Sequence, residues 1–212
     1  MSRLRFQVSV SLDGFVAGRD QGVDQPLGVG GERLHEWLFP LASWRRLVGL
    51  EGGEVDASDA VVAESMVNIG ATVMGRNMFG GHPGGWDPAK PWTGWWGPDP
   101  PFRHPVFVVT HHARAPLTLG TTTFHFVTDG VESALAQAKH AAKGKDVALG
   151  GGASVANQAL ERGLVDEMEL HLVPILLGRG ERLFDRVGDD LHGLRLARTV
   201  AAPRVTHLKF TR

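Results

Sequence analysis

The run Asp146–Leu160, DVALGGGASVANQAL, leaves the chain little choice of local architecture. A short apolar segment, Val147, Ala148 and Leu149, stops at three glycines, Gly150, Gly151 and Gly152. Ala153, Ser154 and Val155 then lead into an apolar-rich run of helical character. Strand, glycine turn and helix in that order bring backbone N–H groups and a helix N-terminus to one point, where an anion can sit. Glycine suits such a turn because it reaches positive φ without strain and puts no side chain in a ligand's way. The spacing is not GxGxxG, so the fingerprint of a Rossmann unit is not met. Without a ligand, the same residues make a tight strand–helix corner and nothing more.

A second corner of the same kind lies upstream. Ala71–Met74 is a short buried strand, and Gly75-Arg76-Asn77-Met78-Phe79 turns from it into a helical turn. A cation in the first turn of a helix opposes the helix dipole unless an anion meets it, so Arg76 is more informative than most surface arginines. Its alternative is a salt bridge to a neighbouring carboxylate.

Around these corners the pattern alternates between strand and helix. Leu4, Phe6, Val8 and Val10 alternate with polar residues, as in a strand with one buried face. Ser11-Leu12-Asp13-Gly14 ends that strand, and a Gly-, Asp- and Pro-rich loop from Arg19 to Gly31 suits a lid. Glu32–Leu38 is expected as one or two helical turns, Leu41–Leu50 stays ambiguous, and Asp56–Ile69 is expected as a helix closed by Gly70. Pro105–Val109 and Thr123–Thr128 are strands, and Gly130–Lys143 is a helix. Val165–Leu172 is a strand that resumes at Ile175–Gly178 after Pro174, Gly180–Phe184 is a turn, and Leu194–Thr211 is a closing antiparallel hairpin. Alternating elements followed by consecutive strands give one α/β domain over residues 1–212, its mixed sheet mostly parallel with an antiparallel edge.

Gly80–Pro105 stands apart, with Trp86, Trp92, Trp95, Trp96 and Phe102 among seven prolines and six glycines. A stiff aromatic loop suits a wall for a planar ligand, a subunit interface, or a cover over its own aromatic cluster.

Bulk properties remove several classes of function. A formal net charge of −1 gives nucleic acid no electrostatic foothold. The absence of cysteine excludes disulfide and thiolate chemistry and favours a cytoplasmic address. No stretch has the length of a membrane span, and the N-terminus lacks the apolar run of a signal peptide. Ten histidines raise the question of metal, but no HxH, HExxH or carboxylate–histidine cluster is present, and no metal is expected.

The segments VSLDGFVAG, ATVMGRNMF, VFVVT, VALGGGASVANQAL and LVDEMELHLVPILLGRGERLF, in that order over nearly the whole chain, resemble the dihydrofolate-reductase-like superfamily, and within it the RibD C-terminal-domain reductases. The most specific block is Gly150–Phe184. The resemblance implies a dihydrofolate-reductase-like central sheet with an antiparallel C-terminal edge and helices on both faces. It also implies an NADPH-dependent reductase. Gly75 and Arg76, with Asn77 and Met78 following, match the family's phosphate-contacting corner. Thr110 matches the polar strand end near the adenosine, and His111, His112 and Arg114 follow where a 2′-phosphate would lie. Gly150–Val155 match the loop that holds the pyrophosphate, and Val16 and Ala17 match the segment beside the nicotinamide.

For catalysis the resemblance implies a carboxylate near the start of the helix before the Met-Gly-Arg corner. Asp59, 16 residues before Gly75, fits it, with Asp56 and Glu64 as rivals, and Asp13 matches the family's loop aspartate. Asp59 could equally serve as a helix-start charge and Asp13 as a turn former. A buried carboxylate in this role should have a raised pKa. The chain departs from the family where many members carry Glu before the paired glycines, since it has Leu149 or Gly150 there. The tryptophan-rich stretch is an insertion. The expected function is therefore hydride transfer from NADPH to a small planar or heterocyclic substrate, by a homodimer. The alternative is a nucleotide-binding module of the same fold without turnover.

Overall fold

In the computed structural model, which describes residues 2–212, β1 (Leu4–Ser11) is the axis of the main sheet. Leu4, Phe6, Val8 and Val10 enter the core on one face, while Ser9 faces the other, where it meets Trp37. The elements that follow are β2 (Phe15–Gly18), a 3-10 turn (Gly31–Leu34), α1 (Ala42–Leu47), α2 (Ala57–Ser65), β3 (Ile69–Gly75), α3 (Arg76–Phe79), β4 (Val106–Val109), β5 (Leu117–Leu119) and β6 (Thr122–Val127). The chain continues through α4 (Val131–Ala141), β7 (Asp146–Leu149), α5 (Ala153–Glu161), β8 (Glu167–Val173), β9 (Gly180–Arg182), β10 (Arg195–Ala202) and β11 (Val205–Thr211).

Nine strands form one sheet in the order β10-β11-β8-β1-β7-β3-β4-β6-β5, and β2 pairs with β9 in a separate two-stranded ribbon. The six central strands, β8 to β6, run parallel. The antiparallel pairs lie at the two margins, β10–β11–β8 and β5–β6. This is the expected mixed sheet with an antiparallel C-terminal edge.

Helices cover both faces. On α4, Val131, Ala134, Leu135 and Ala138 are buried at helical spacing, and with Val155, Ala159 and Leu160 of α5 they pack onto Phe6, Val73, Phe107, Val147 and Leu149. The opposite face carries two clusters. Leu34, Trp37, Leu41 and Val62 pack against Val173 and Val205, and Phe79 packs with Met74, Val106, Val108 and Phe124 under the tryptophan-rich insertion.

Several local expectations are corrected. The helix begun at Ala57 stops at Ser65, because Asn68 takes a left-handed φ of 63° and Ile69 already belongs to β3. The ambiguous Leu41–Leu50 contains α1, and helical structure in Glu32–Leu38 is confined to the 3-10 turn. Ile175–Gly178 does not continue β8. The Asp13 carboxylate takes the Leu177 and Gly178 amides at 3.2 and 2.6 Å, which leaves them none for a ladder. Gly180–Arg182, expected as a turn, is the strand that pairs with β2.

Candidate functional site

The two glycine corners meet at the C-terminal ends of the parallel strands. β7 and β3 are neighbours, so the turns that leave them are joined: Gly75 N donates to Gly151 O at 3.1 Å, and Gly150 N donates to Val73 O at 2.7 Å. Gly151 and Gly152 have φ of 111° and 88°, values that L side chains rarely adopt. At Gly75 an added Cβ would lie 3.0 Å from Val155 Cγ2, so a larger residue there would have to push the start of α5 aside by a few tenths of an ångström. α5 starts here without a side-chain cap, and the amides of Ala153 and Ser154 form its open first turn. Met78 borders the turn, its sulfur 3.9 Å from where a Gly151 Cβ would stand, whereas Asn77 is exposed.

Arg76 extends from this corner into a cavity of about 230 Å³ lined in part by Trp86, Lys90, Trp92 and Arg114. Its guanidinium lies 3.8 Å over the Trp86 ring, and Nη2 donates to His82 O at 3.1 Å. Its Nε is buried with no hydrogen-bond partner. Burial and then the nearby Arg114 lower the Arg76 pKa, and no carboxylate opposes them. Arg114 donates to Trp92 O at 2.7 Å, sits 4.9 Å over Trp86, and is itself lowered by burial. The two partly buried guanidiniums share one aromatic-walled cavity with Lys90 and Asp87, and neither forms a salt bridge with that carboxylate, which leaves the wall net positive and suited to an anion.

The remaining residues fall into place around it. Thr110 is buried at the end of β4, and its Oγ1 accepts from His112 N at 3.2 Å. The His111 and His112 side chains are exposed and do not line the cavity; Arg114 does. The Trp86 indole donates to His112 O at 2.8 Å, and the Trp92 and Trp95 indoles donate to Phe79 O and Met78 O. The insertion therefore both covers its own aromatic cluster and walls the arginine cavity. The aromatic content of the loop marks Trp86 as a candidate ligand wall, but nothing in the spacing of Trp86 or Lys90 ties either to Arg76. Of the two positions that stand before the paired glycines, Leu149 is 1% exposed and belongs to the core, and Gly150 has no side chain, so neither offers a polar group to a substrate.

The two candidate carboxylates are engaged elsewhere. Asp59 is buried and accepts from Ser43 N at 2.6 Å, which holds the first turn of α1. Asp13 ties the loop after β1 to the loop after β8 and also accepts from Ser11 Oγ at 2.6 Å. Its pKa is not raised, as expected for a buried acid, but lowered to about 2, first by the Ser11 hydroxyl and then by the Gly178 and Leu177 amides. Val16 and the buried Ala17 lie on β2, held by β9. Among the described residues, no group of three or more His, Cys, Asp or Glu is placed to hold a metal, and no helix is long and apolar enough to cross a membrane.

Among curated proteins, none matches the chain in sequence. Solved structures share its fold. A "Putative riboflavin biosynthesis protein" from Shewanella sp. PV-4 matches with a TM-score of 0.60 and 20% identity, over 100% of this chain and 99% of that one. The diaminohydroxyphosphoribosylaminopyrimidine deaminase/5-amino-6-(5-phosphoribosylamino)uracil reductase of Thermotoga maritima matches with a TM-score of 0.56 and 14% identity, over 99% of this chain but 56% of that one. Dihydrofolate reductase from Enterococcus faecalis, complexed with NADP(H), matches with a TM-score of 0.50 and 11% identity, over 99% of this chain and 96% of that one. The model of the RibD C-terminal domain spans residues 3–208. The chain thus belongs to the RibD C-terminal domain family.

Proposed function

We propose that this chain is an NADPH-dependent reductase of a small planar or heterocyclic substrate. The observation that carries the reading is the joined glycine corner with Arg76 and Arg114 beside it. The open amides of Ala153 and Ser154 suit a pyrophosphate, and two guanidiniums with Lys90 beside them, outnumbering the one carboxylate of the cavity, Asp87, suit the further phosphate that separates NADPH from NADH. The dihydronicotinamide supplies hydride when bound. The protein's part is to orient it, to exclude water and to furnish a proton. Val16 and Ala17 would border the nicotinamide from β2, with Asp13 fastening the loop that carries them.

A pyrimidine substrate is in keeping with the uracil reductase among the structural neighbours. With Leu149 or Gly150 before the paired glycines, no carboxylate from this turn holds the substrate. We further propose that the protein works as a cytoplasmic homodimer.

Titration with NADPH and NADH, followed by tryptophan fluorescence and energy transfer to the reduced nicotinamide, tests the reading. Saturable micromolar NADPH binding is expected, lost in Gly151→Asp and weakened at least ten-fold in Arg76→Ala. Absorbance loss at the reduced nicotinamide then screens substrates, beginning with 5-amino-6-(5-phosphoribosylamino)uracil. Binding of neither nucleotide would overturn the assignment.

A further inference from the structure

Arg76 belongs to α3 and Arg114 to the segment between β4 and β5, yet the contacts that fix the two guanidiniums come mainly from the tryptophan-rich insertion. Arg76 lies 3.8 Å over the Trp86 ring and donates to His82 O. The backbone closes on it at Gly81, where an added Cβ would stand 3.1 Å from Arg76 Nη1 and from the Trp92 ring. Arg114 donates to Trp92 O and lies 4.9 Å over the same Trp86 ring, with Phe126 of β6 at 5.0 Å. Trp86 is itself held in place. Its indole donates to His112 O, and Phe79 and Phe126 meet it edge-to-face at 5.9 and 5.1 Å.

Two guanidiniums gathered at one indole repel each other. Attraction of each cation to the π-system of the ring offsets that repulsion. Stacking spends the face of a guanidinium and leaves its in-plane N–H groups to bind. Most of those donors are uncommitted here: among the described residues Arg76 hydrogen-bonds only His82 O and Arg114 only Trp92 O, and Arg76 Nε is buried without a partner. The two nucleotides differ at one place. Adenine, ribose and pyrophosphate are common to NADPH and NADH, so the glycine corner serves both alike, and only the 2′-phosphate gives two gathered guanidiniums something to discriminate. Preorganisation is the physical gain. Without the ring, two mobile and mutually repelling side chains would have to be brought together at the moment of binding, at a cost in rotamer freedom.

We propose that Trp86 is a positioning residue that determines cofactor specificity: it holds Arg76 and Arg114 together as a preformed pair of charges for the 2′-phosphate, and through it the insertion, rather than the glycine corner, sets the preference for NADPH over NADH. The proposal rests on the reductase reading. It gives the insertion a task besides covering its own aromatic cluster, and it separates the residues that bind any dinucleotide from those that choose between two.

Dissociation constants of NADPH and NADH, measured side by side by calorimetry, test it. The wild type is expected to bind NADPH at least ten-fold more tightly than NADH. Trp86→Leu should weaken NADPH about ten-fold, as loss of two cation–π contacts does, and leave NADH within about two-fold. Trp86→Phe, which keeps an aromatic face, should restore most of the preference. Because Trp86 also packs on Phe79 and Phe126, a second probe leaves that packing nearly intact. Uniform 5-fluorotryptophan labelling alters all six indoles alike, but among the described residues only Trp86 carries a cation on its ring. The labelled protein should bind NADPH about two-fold more weakly, with NADH unchanged. If Trp86→Leu and fluorination weaken both nucleotides equally, or both leave the preference intact, Trp86 is a structural residue and the proposal is overturned. A wild type that binds the two nucleotides equally also overturns it, yet leaves a reductase able to use either. Binding of neither removes the reductase reading, and the proposal with it.

Discussion

At the scale of single residues, protonation separates Asp13 from the buried histidines. His171 and His207 have folded pKa values of about 3 and 4, below the ordinary 6.5, so between pH 6.5 and 4 the unfolded chain binds more protons than the folded one. Stability then rises with pH through this window and falls as pH drops below about 6.5, by up to about 1.4 kcal/mol per pH unit for each ring. Urea denaturation at pH 7, 6 and 5 is expected to show the fall before the carboxylates begin to titrate, and a flat profile would contradict the burial of the pair. Asp13 titrates lower. Its contribution is complete above pH 3.8 and is lost as pH falls through about 2. At neutral pH, Asp13→Ala should speed amide exchange at Leu177 and Gly178 at least ten-fold, with little change in the global unfolding midpoint.

At the scale of elements, one side chain and one glycine decide how segments join. Asp59 accepts the Ser43 amide across 16 residues and so anchors α1 to α2. Asp59→Ala should destabilise the fold by about 1–2 kcal/mol, as loss of a helix-start acceptor does, and leave NADPH affinity unchanged; a catalytic Asp59 would instead lower turnover without altering the denaturation midpoint. At Gly180, φ is 145° and an added Cβ would lie 2.0 Å from Ala17 O. Gly180→Ala should therefore break the β2–β9 ribbon. Amide exchange at Phe15 and Ala17 and tryptic cleavage after Arg179 should both accelerate, while α4 and the central strands keep their protection.

For the whole molecule, the central sheet is a rigid platform, with the glycine corners at the C-terminal ends of its parallel strands and the insertion wrapped over one face. Phe79 packs edge-to-face on Phe124, Phe126 and Trp86, and Trp96 stacks on Phe124. The insertion is thus part of the core on that side as well as a wall of the arginine cavity. Trp96→Ala should cost about 3 kcal/mol and weaken NADPH binding only through that loss of order. The homodimer proposal is checked by sedimentation equilibrium, which should return twice the 22.9 kDa chain mass. A monomer at micromolar concentration would remove it.

What the sequence determined by itself was local: strand–glycine–helix corners at Gly75 and Gly150–Gly152, the amphipathic stripe of α4, the alternation of β1 and the closing hairpin. In each, neighbours in the chain carry the signal, as backbone freedom or as a period of two or 3.6 residues. Family motifs over nearly the whole chain added a mixed, mostly parallel central sheet with an antiparallel C-terminal edge, while the order of its strands came from the tertiary structure. Tertiary structure alone decided what depends on partners distant in sequence. It joined Gly75 to Gly151, set Arg114 and Trp86 beside Arg76, gave Asp13 to Leu177 and Gly178, turned Gly180–Arg182 into a strand, and brought His171 against His207 and Ser58. The physical reason is the same throughout. A hydrogen bond, a stacked cation or a shared proton is fixed by register and packing, and neither is written in the order of residues around any one of its members.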